Sequence, residues 1–274
     1  MLKKRIVTAL WGIPLITVVI WFGEPWFTIL ITVLGALAVI EFYRLVAAAK
    51  VSPFTYFGII LTILFILSRN SDLLSVLQPY LDPILVTPLL LTSAVALSLI
   101  RLLLRPQRES AFLKWAWTIA GILYVGWLLS HMVALRGLDD GRNWVFFALF
   151  ATFASDTAAF FAGRALGKHH LAPAVSPGKT WEGAIAGVIG AIAISLFFML
   201  PTPLSLHFSY GQAILLGILV SVFGQLGDLI ESLFKRNMEV KESSRLVPGH
   251  GGILDRMDSI VFAGIVVYYY AIML

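Results

Sequence analysis

Nine long apolar runs follow one another along the chain with only short polar breaks between them, and this pattern constrains the fold more than any other feature. The runs cover Ile6 to Phe22, Trp26 to Val46, Phe54 to Ser68, Ile84 to Leu104, Phe112 to Leu135, Trp144 to Leu166, Gly183 to Leu200, Gln212 to Phe234 and Ile253 to Leu274. A bilayer core about 30 Å thick is crossed by about 20 mostly apolar residues in a helix, so each run is long enough, or nearly so, for one crossing. Composition agrees. Charged residues make up 13% of the 274 residues and mean hydropathy is +0.91, against about 25% charge in soluble domains. The sequence predicts an all-α polytopic integral membrane protein of about nine transmembrane helices. The third span is short, and Leu73 to Tyr80 suits a broken or re-entrant element beside it. The opening residues Met1 to Arg5 and the run behind them imitate a signal peptide, but more spans follow, and the run reads as a retained first anchor.

The cations predict an orientation, because cytoplasmic loops carry the Lys and Arg excess. With the N-terminus cytoplasmic and the C-terminus outside, 17 of the 20 Lys and Arg residues fall inside and only Arg69, Arg136 and Arg142 fall outside. The expected organisation is a single helical membrane domain over 1–274, with N-terminal helices in 1–140 and catalytic helices with cytoplasmic loops in 144–274. The absence of cysteine rules out disulfides and thiolate metal sites. The net charge of +5 suits anionic lipid head groups or phosphates equally.

Ionisable groups at membrane depth cost about 2.5–3.5 kcal/mol each on insertion scales and usually face a partner or a cavity. Asp156 sits in the sixth run, Asp228 and Glu231 toward the inner end of the eighth, and Asp255 and Asp258 at the start of the ninth. Each pair is three apart and shares one helix face. Lys235 follows Glu231 by four, so a plain surface pair is the alternative there, as helix-dipole acids are for the ninth run. Pro248-Gly249-His250-Gly251-Gly252 precedes a helix, where glycines admit close backbone approach and a helix start attracts anions; a flexible turn has the same composition. Ser176-Pro177-Gly178-Lys179-Thr180-Trp181-Glu182-Gly183 places a cation and a hydroxyl before a helix. That segment is equally a positive-inside loop with a Trp interface anchor.

Other features point to structure. Glu41 and Arg44 can pair within one helix. Asp139-Asp140-Gly141 looks like an outside turn. His169 and His170 lack metal-ligand spacing with any other histidine. Gly163 with Gly167, and Gly183 with Gly187, have the spacing of close helix packing, within a bundle or across a homodimer.

The stretch from Ser232-Leu233-Phe234-Lys235-Arg236 through Lys241-Glu242 to Pro248-Gly249-His250-Gly251-Gly252-Ile253-Leu254-Asp255-Arg256-Met257-Asp258 resembles the signature of the phosphatidate cytidylyltransferases (CDP-diacylglycerol synthases). Ser155-Asp156, the run from Gly163 to Lys168 and the Ser176 to Gly183 segment fit the same pattern, so the resemblance covers Ser155 to Asp258. The chain has Lys241-Glu242 where Lys-Asp is usual and Val247 where Leu, Ile or Phe is usual, and Glu242 is left out of the expected site.

The resemblance implies an enzyme of phospholipid biosynthesis in the cytoplasmic membrane, with its active site facing the cytoplasm. It would convert CTP and phosphatidate to CDP-diacylglycerol and pyrophosphate, with one Mg2+ or a pair of metal ions including it as cofactor and no nucleic acid as partner. Asp228 and Asp255 are the first-choice metal ligands, then Asp258 and Asp156. Asp228, Asp255, Asp258, Lys235 and Arg256 form the expected catalytic set. Asp156, Ser176, Lys179, Thr180, Arg236, Lys241, His250, Gly251 and Gly252 are the expected substrate-binding residues. Two alternatives share these residue types. A CTP-dependent lipid kinase of the polyprenol or dolichol type would release CDP instead of pyrophosphate, and an ion-coupled transporter would show flux without CTP turnover. Neither repeated halves nor charges along a midplane path are seen in the sequence.

Overall fold

Helices account for nearly all regular structure, as they must where backbone polar groups have no water to bond. The computed structural model describes residues 2–104, 110–244, 246 and 251–274, with side chains from residue 10 onward. Two compact units emerge, one formed by residues 1–137 with 242–254, the other by 138–241 with 255–274.

The first unit contains α1 (Leu2–Phe22), α2 (Trp26–Ala48), α3 (Thr55–Leu67), α4 (Ser71–Leu77), α5 (Pro83–Leu103), α6 (Ala111–Gly121) and α7 (Leu128–Arg136). A π-helical segment, Ile122–Trp127, joins α6 to α7. Short polar residues set the helix starts: Asn70 accepts the Leu73 amide at 2.8 Å and Asp82 that of Ile84 at 2.9 Å, satisfying donors that a first turn leaves orphaned. Leu61, Phe65, Ala94 and Ile122 form a buried cluster. Tyr43, 1% exposed, donates its hydroxyl to the Thr118 carbonyl at 2.8 Å.

The second unit contains α8 (Gly141–Leu166), a two-stranded antiparallel hairpin of β1 (His170–Ala172) and β2 (Ser176–Thr180), then α9 (Trp181–Phe197) and α10 (Tyr210–Asn237). The final helix, α11 (Leu254–Ala271), begins at the last residue of the first unit and runs on through the second. A capping box starts α10: Ser209 Oγ accepts the Gln212 amide while Gln212 Oε1 accepts that of Ser209. Helices α8 and α9 pack through glycine. A Cβ on Gly183 would lie 2.7 Å from the Ala159 carbonyl oxygen and 3.2 Å from the Gly163 Cα, and one on Gly187 would meet Ser155. The glycine spacing is thus consumed by packing within one chain and gives no ground for a dimer.

Among the described residues, five helices are long and apolar enough to cross a membrane: α2, α5, the continuous Ala111–Arg136 stretch, α8 and α10. The bent pair of α3 and α4, turning by 92° at its break, makes up to six; the broken element expected around Leu73 to Tyr80 is α4 and the turn after it. Large apolar side chains lie on the outer surface, among them Trp11, Phe161 and Ile189 at 73%, 65% and 63% exposed. Such a surface suits lipid, not water. The protein is an all-α polytopic membrane protein.

Candidate active site

Helix α10 carries the first part of the site in its last three turns. Asp228, Glu231 and Lys235 recur at helical spacing on one face. Glu231 is fully buried, and Lys235 Nζ contacts its Oε2. The same ammonium lies 2.8 Å from Oδ1 of Asp255 in the first turn of α11. Gly227 permits the close approach of α11, since a Cβ there would lie 2.5 Å from the Asp258 carbonyl oxygen. Asp258 then reaches the same place from α11, with its Oδ1 accepting the Ser259 amide at 2.7 Å.

Ligand atoms of Asp228, Glu231 and Asp258 all lie within 4.8 Å of one another. Asp156, on α8, is within electrostatic reach of both Asp228 and Lys179. Lys179 comes from β2 and spans two acceptors of α10, Asp228 Oδ2 at 2.8 Å and the Gln225 carbonyl at 3.3 Å. Gln225 is itself held, donating to Ser221 Oγ and to the Ala184 carbonyl, while Ser221 and Ser155 share a 2.7 Å hydrogen bond.

The hairpin is anchored at both ends. Thr180 caps α9 by accepting the Gly183 amide at 3.2 Å, and Arg236 Nε donates to the Val175 carbonyl. His169 bonds Glu182 at 2.7 Å. The Glu182 carboxyl is lowered to about 2 by its own amide first and by His169 next. His169 and His170 are therefore hairpin residues, His169 as the partner of Glu182 and His170 in β1.

The structure thus brings together Asp156, Asp228, Asp258 and Lys179, and places Asp255 on Lys235. Ser176 and Thr180 open and close β2. Arg236 ties α10 to the hairpin, Arg256 is exposed on the first turn of α11, and Lys241 is exposed in the bend after α10. Gly251 and Gly252 belong to the first unit. Gly251 has φ +84°, a conformation that requires glycine. His250, with Arg245 and the residues from Val247 to Gly249, lies outside the described residues, as do Arg105 and Arg108. Glu231, absent from the expected site, pairs with Lys235 as the spacing allows, but the pair is buried and not a surface one, and Glu231 stands third in the acidic group.

Five carboxylates (Asp156, Asp228, Glu231, Asp255, Asp258) are linked to two ammonium groups (Lys179, Lys235) by ion pairs or close charge interactions. The acids exceed the cations. Glu231 is buried and its oxygens have no hydrogen-bond partner that meets the geometry of one among the described residues, although the Lys235 ammonium pairs with Oε2. An all-oxygen donor set of Asp228, Glu231 and Asp258 within 4.8 Å fits a hard divalent cation.

A bundle of apolar helices that gathers excess carboxylates and paired lysines at helix ends defines a membrane protein with an acidic cluster that could hold a metal ion. The chain belongs to the cytidylyltransferase family, whose sequence model matches residues 3–274. It is 32% identical over 274 residues to the phosphatidate cytidylyltransferase of Bacillus subtilis (strain 168), covering 98% of this chain and 97% of that one. The phosphatidate cytidylyltransferase of Brucella suis biovar 1 (strain 1330) is 33% identical over 274 residues, 98% of this chain and 93% of the relative. That of Staphylococcus haemolyticus (strain JCSC1435) is 31% identical over 262 residues, 95% of each. The family expected from the Ser155 to Asp258 motifs extends over both halves of the chain.

Proposed function

We infer that the chain is a phosphatidate cytidylyltransferase that converts CTP and phosphatidate to CDP-diacylglycerol and pyrophosphate in phospholipid biosynthesis. The observation that carries the reading is the joining of Asp228, Glu231 and Asp258 with Lys179 and Lys235 at the ends of α10 and α11, in a chain matched by the family over its length. In the reaction an oxygen of the phosphatidate monoester forms a bond to the α-phosphorus of CTP. The bond from that phosphorus to the bridging oxygen breaks, and pyrophosphate leaves with the electron pair. The monoester has a second pKa of about 6, so it is largely ionised near neutrality and the attacking oxygen needs no strong base.

Asp228, Glu231 and Asp258 are the residues that would hold Mg2+, with Asp156 and Asp255 adjoining. When bound, the ion would neutralise triphosphate charge that grows on the leaving group. Lys179 and Lys235 align and neutralise phosphate oxygens once substrate competes with the carboxylates that now hold them, which is electrostatic and positional catalysis. Arg236 and Arg256 add positive charge at the ends of the same helices, and Lys241, Ser176, Thr180 and the His250-Gly251-Gly252 segment contribute to substrate binding.

For topology we propose nine spans, α1, α2, α3, α5, the α6–α7 stretch, α8, α9, α10 and α11, with the N-terminus cytoplasmic and the C-terminus outside. The distribution of 17 of 20 cations supports it. The site would then open to the cytoplasm for CTP and to the inner leaflet for lipid. Purified protein given CTP, phosphatidate and Mg2+ tests the function: CDP-lipid with pyrophosphate is the expected outcome, and CDP with a phosphorylated alcohol would establish a kinase instead.

A further inference from the structure

Glu41 lies in the last third of α2, only 3% exposed, among apolar neighbours. Such a carboxylate needs partners, and its partners lie about two hundred residues away in sequence. Oε2 accepts the Ser243 hydroxyl at 3.0 Å and the Leu254 amide at 2.9 Å. Oε1 accepts the Ser244 hydroxyl at 2.6 Å and the Ile253 amide at 3.1 Å. A carboxylate has about four acceptor sites, and four donors take them. Arg44, three residues on, is not a partner of Glu41 among the described residues.

Two of those donors are amides at the start of α11, which begins at Leu254. The first amides of a helix have no partner within it and carry the positive end of its dipole. Glu41 therefore acts as the cap of α11, supplied from α2 and not from the residue before the helix. Gly252 belongs to the same arrangement, since a Cβ there would collide with Ser243 Oγ and with Glu41 Oε2. The residue after Leu254 is Asp255, and Asp258 follows one turn later.

We propose that Glu41 is a positioning residue for the reaction: by fixing Ile253 and Leu254 it sets where α11 begins and the rotation at which Asp255 and Asp258 leave it. A helix whose start slips or frays turns its side chains away, and a shift of about 1 Å in a catalytic group can cost roughly a hundredfold in rate. The role rests on the functional reading above, and it accounts for Gly252 by close packing against Glu41.

The test compares the full-length wild type with Glu41→Gln and Glu41→Ala in lipid nanodiscs, and with Tyr43→Phe, which removes a buried hydrogen bond from the same helix and controls for simple destabilisation. The readouts are kcat and KM with CTP, phosphatidate and Mg2+, the melting temperature, and amide hydrogen exchange across residues 251–256. Glu41→Ala is expected to speed exchange at Ile253 and Leu254 roughly tenfold and to lower kcat by roughly tenfold to a hundredfold, with KM for CTP little changed. Glu41→Gln keeps one acceptor oxygen and falls between. Unchanged exchange at Ile253 and Leu254, or unchanged kcat, in Glu41→Ala would overturn the proposal. So would an equal loss of kcat in Tyr43→Phe at a matched melting temperature. If the wild type makes no CDP-lipid, the functional reading fails, and the exchange measurement, which needs no turnover, decides the hold of Glu41 on α11 alone.

Discussion

Lys235 is shared by Glu231, four residues before it on α10, and by Asp255 in the first turn of α11, where the Nζ to Oδ1 distance is 2.8 Å. All three side chains are largely shielded, with exposures of 14%, 0% and 8%. Removing one partner of a buried pair leaves uncompensated charge and costs about 3–5 kcal/mol. Lys235→Met should accordingly lower the unfolding midpoint in detergent and abolish turnover together. A variant with wild-type stability would show that the pair is not a structural joint.

Asp255→Asn keeps an oxygen acceptor for Lys235, which also retains the Glu231 carboxylate and so is not left unpaired as the acids are in Lys235→Met, but it removes a negative charge from the cluster. CTP turnover should be lost while melting and membrane insertion stay near wild type. Full activity in this variant would remove Asp255 from the site.

Chelation offers an independent handle on the acidic group. Asp228, Glu231 and Asp258 present only oxygen donors within 4.8 Å, the ligand type preferred by magnesium. Excess EDTA should stop CDP-lipid formation and added Mg2+ should restore it, whereas activity that persists in EDTA would argue that the acids serve Lys179 and Lys235 alone.

The Glu182 contact to His169 predicts a pH dependence at the hairpin. Its folded carboxyl is lowered to about 2 against an unfolded value of about 4.3. A depressed acid stabilises above the unfolded value and loses that stabilisation as pH falls through the folded one. The melting-temperature gap between wild type and Glu182→Gln should therefore be present above about pH 5 and close progressively as pH falls from about 4 toward 2. A gap independent of pH would place the effect in packing.

Helix packing supplies a test of the fold. Gly183 sits where any side chain meets the Ala159 carbonyl oxygen, and overpacking costs about 1–3 kcal/mol. Gly183→Leu should destabilise the protein by that amount in thermal unfolding, and a neutral result would contradict the contact between α8 and α9.

The sequence shows its spans and its acids at different depths of inference. Apolar length makes the helices legible, and i,i+3 spacing puts Asp228 with Glu231 and Asp255 with Asp258 on shared faces. What spacing does not carry is contact between segments. The nearest sequence partner of Glu41 was Arg44, but its carboxylate instead takes Ser243, Ser244, Ile253 and Leu254. Likewise Glu231 has a lysine at i+4, and only the approach of α11 at Gly227 reveals it as the third acid beside Asp258. The hairpin is too short for alternation to register: β1 has three residues and β2 has five, and its glycine and proline read as a turn.

The central claim is that the acids and lysines at the ends of α10 and α11 transfer a cytidylyl group to phosphatidate. It is tested most directly by incubating the purified protein with CTP labelled at the α-phosphorus, phosphatidate and Mg2+. The account predicts label in CDP-diacylglycerol together with one pyrophosphate per lipid formed, and label found in free CDP, or no label transferred to lipid, would contradict it.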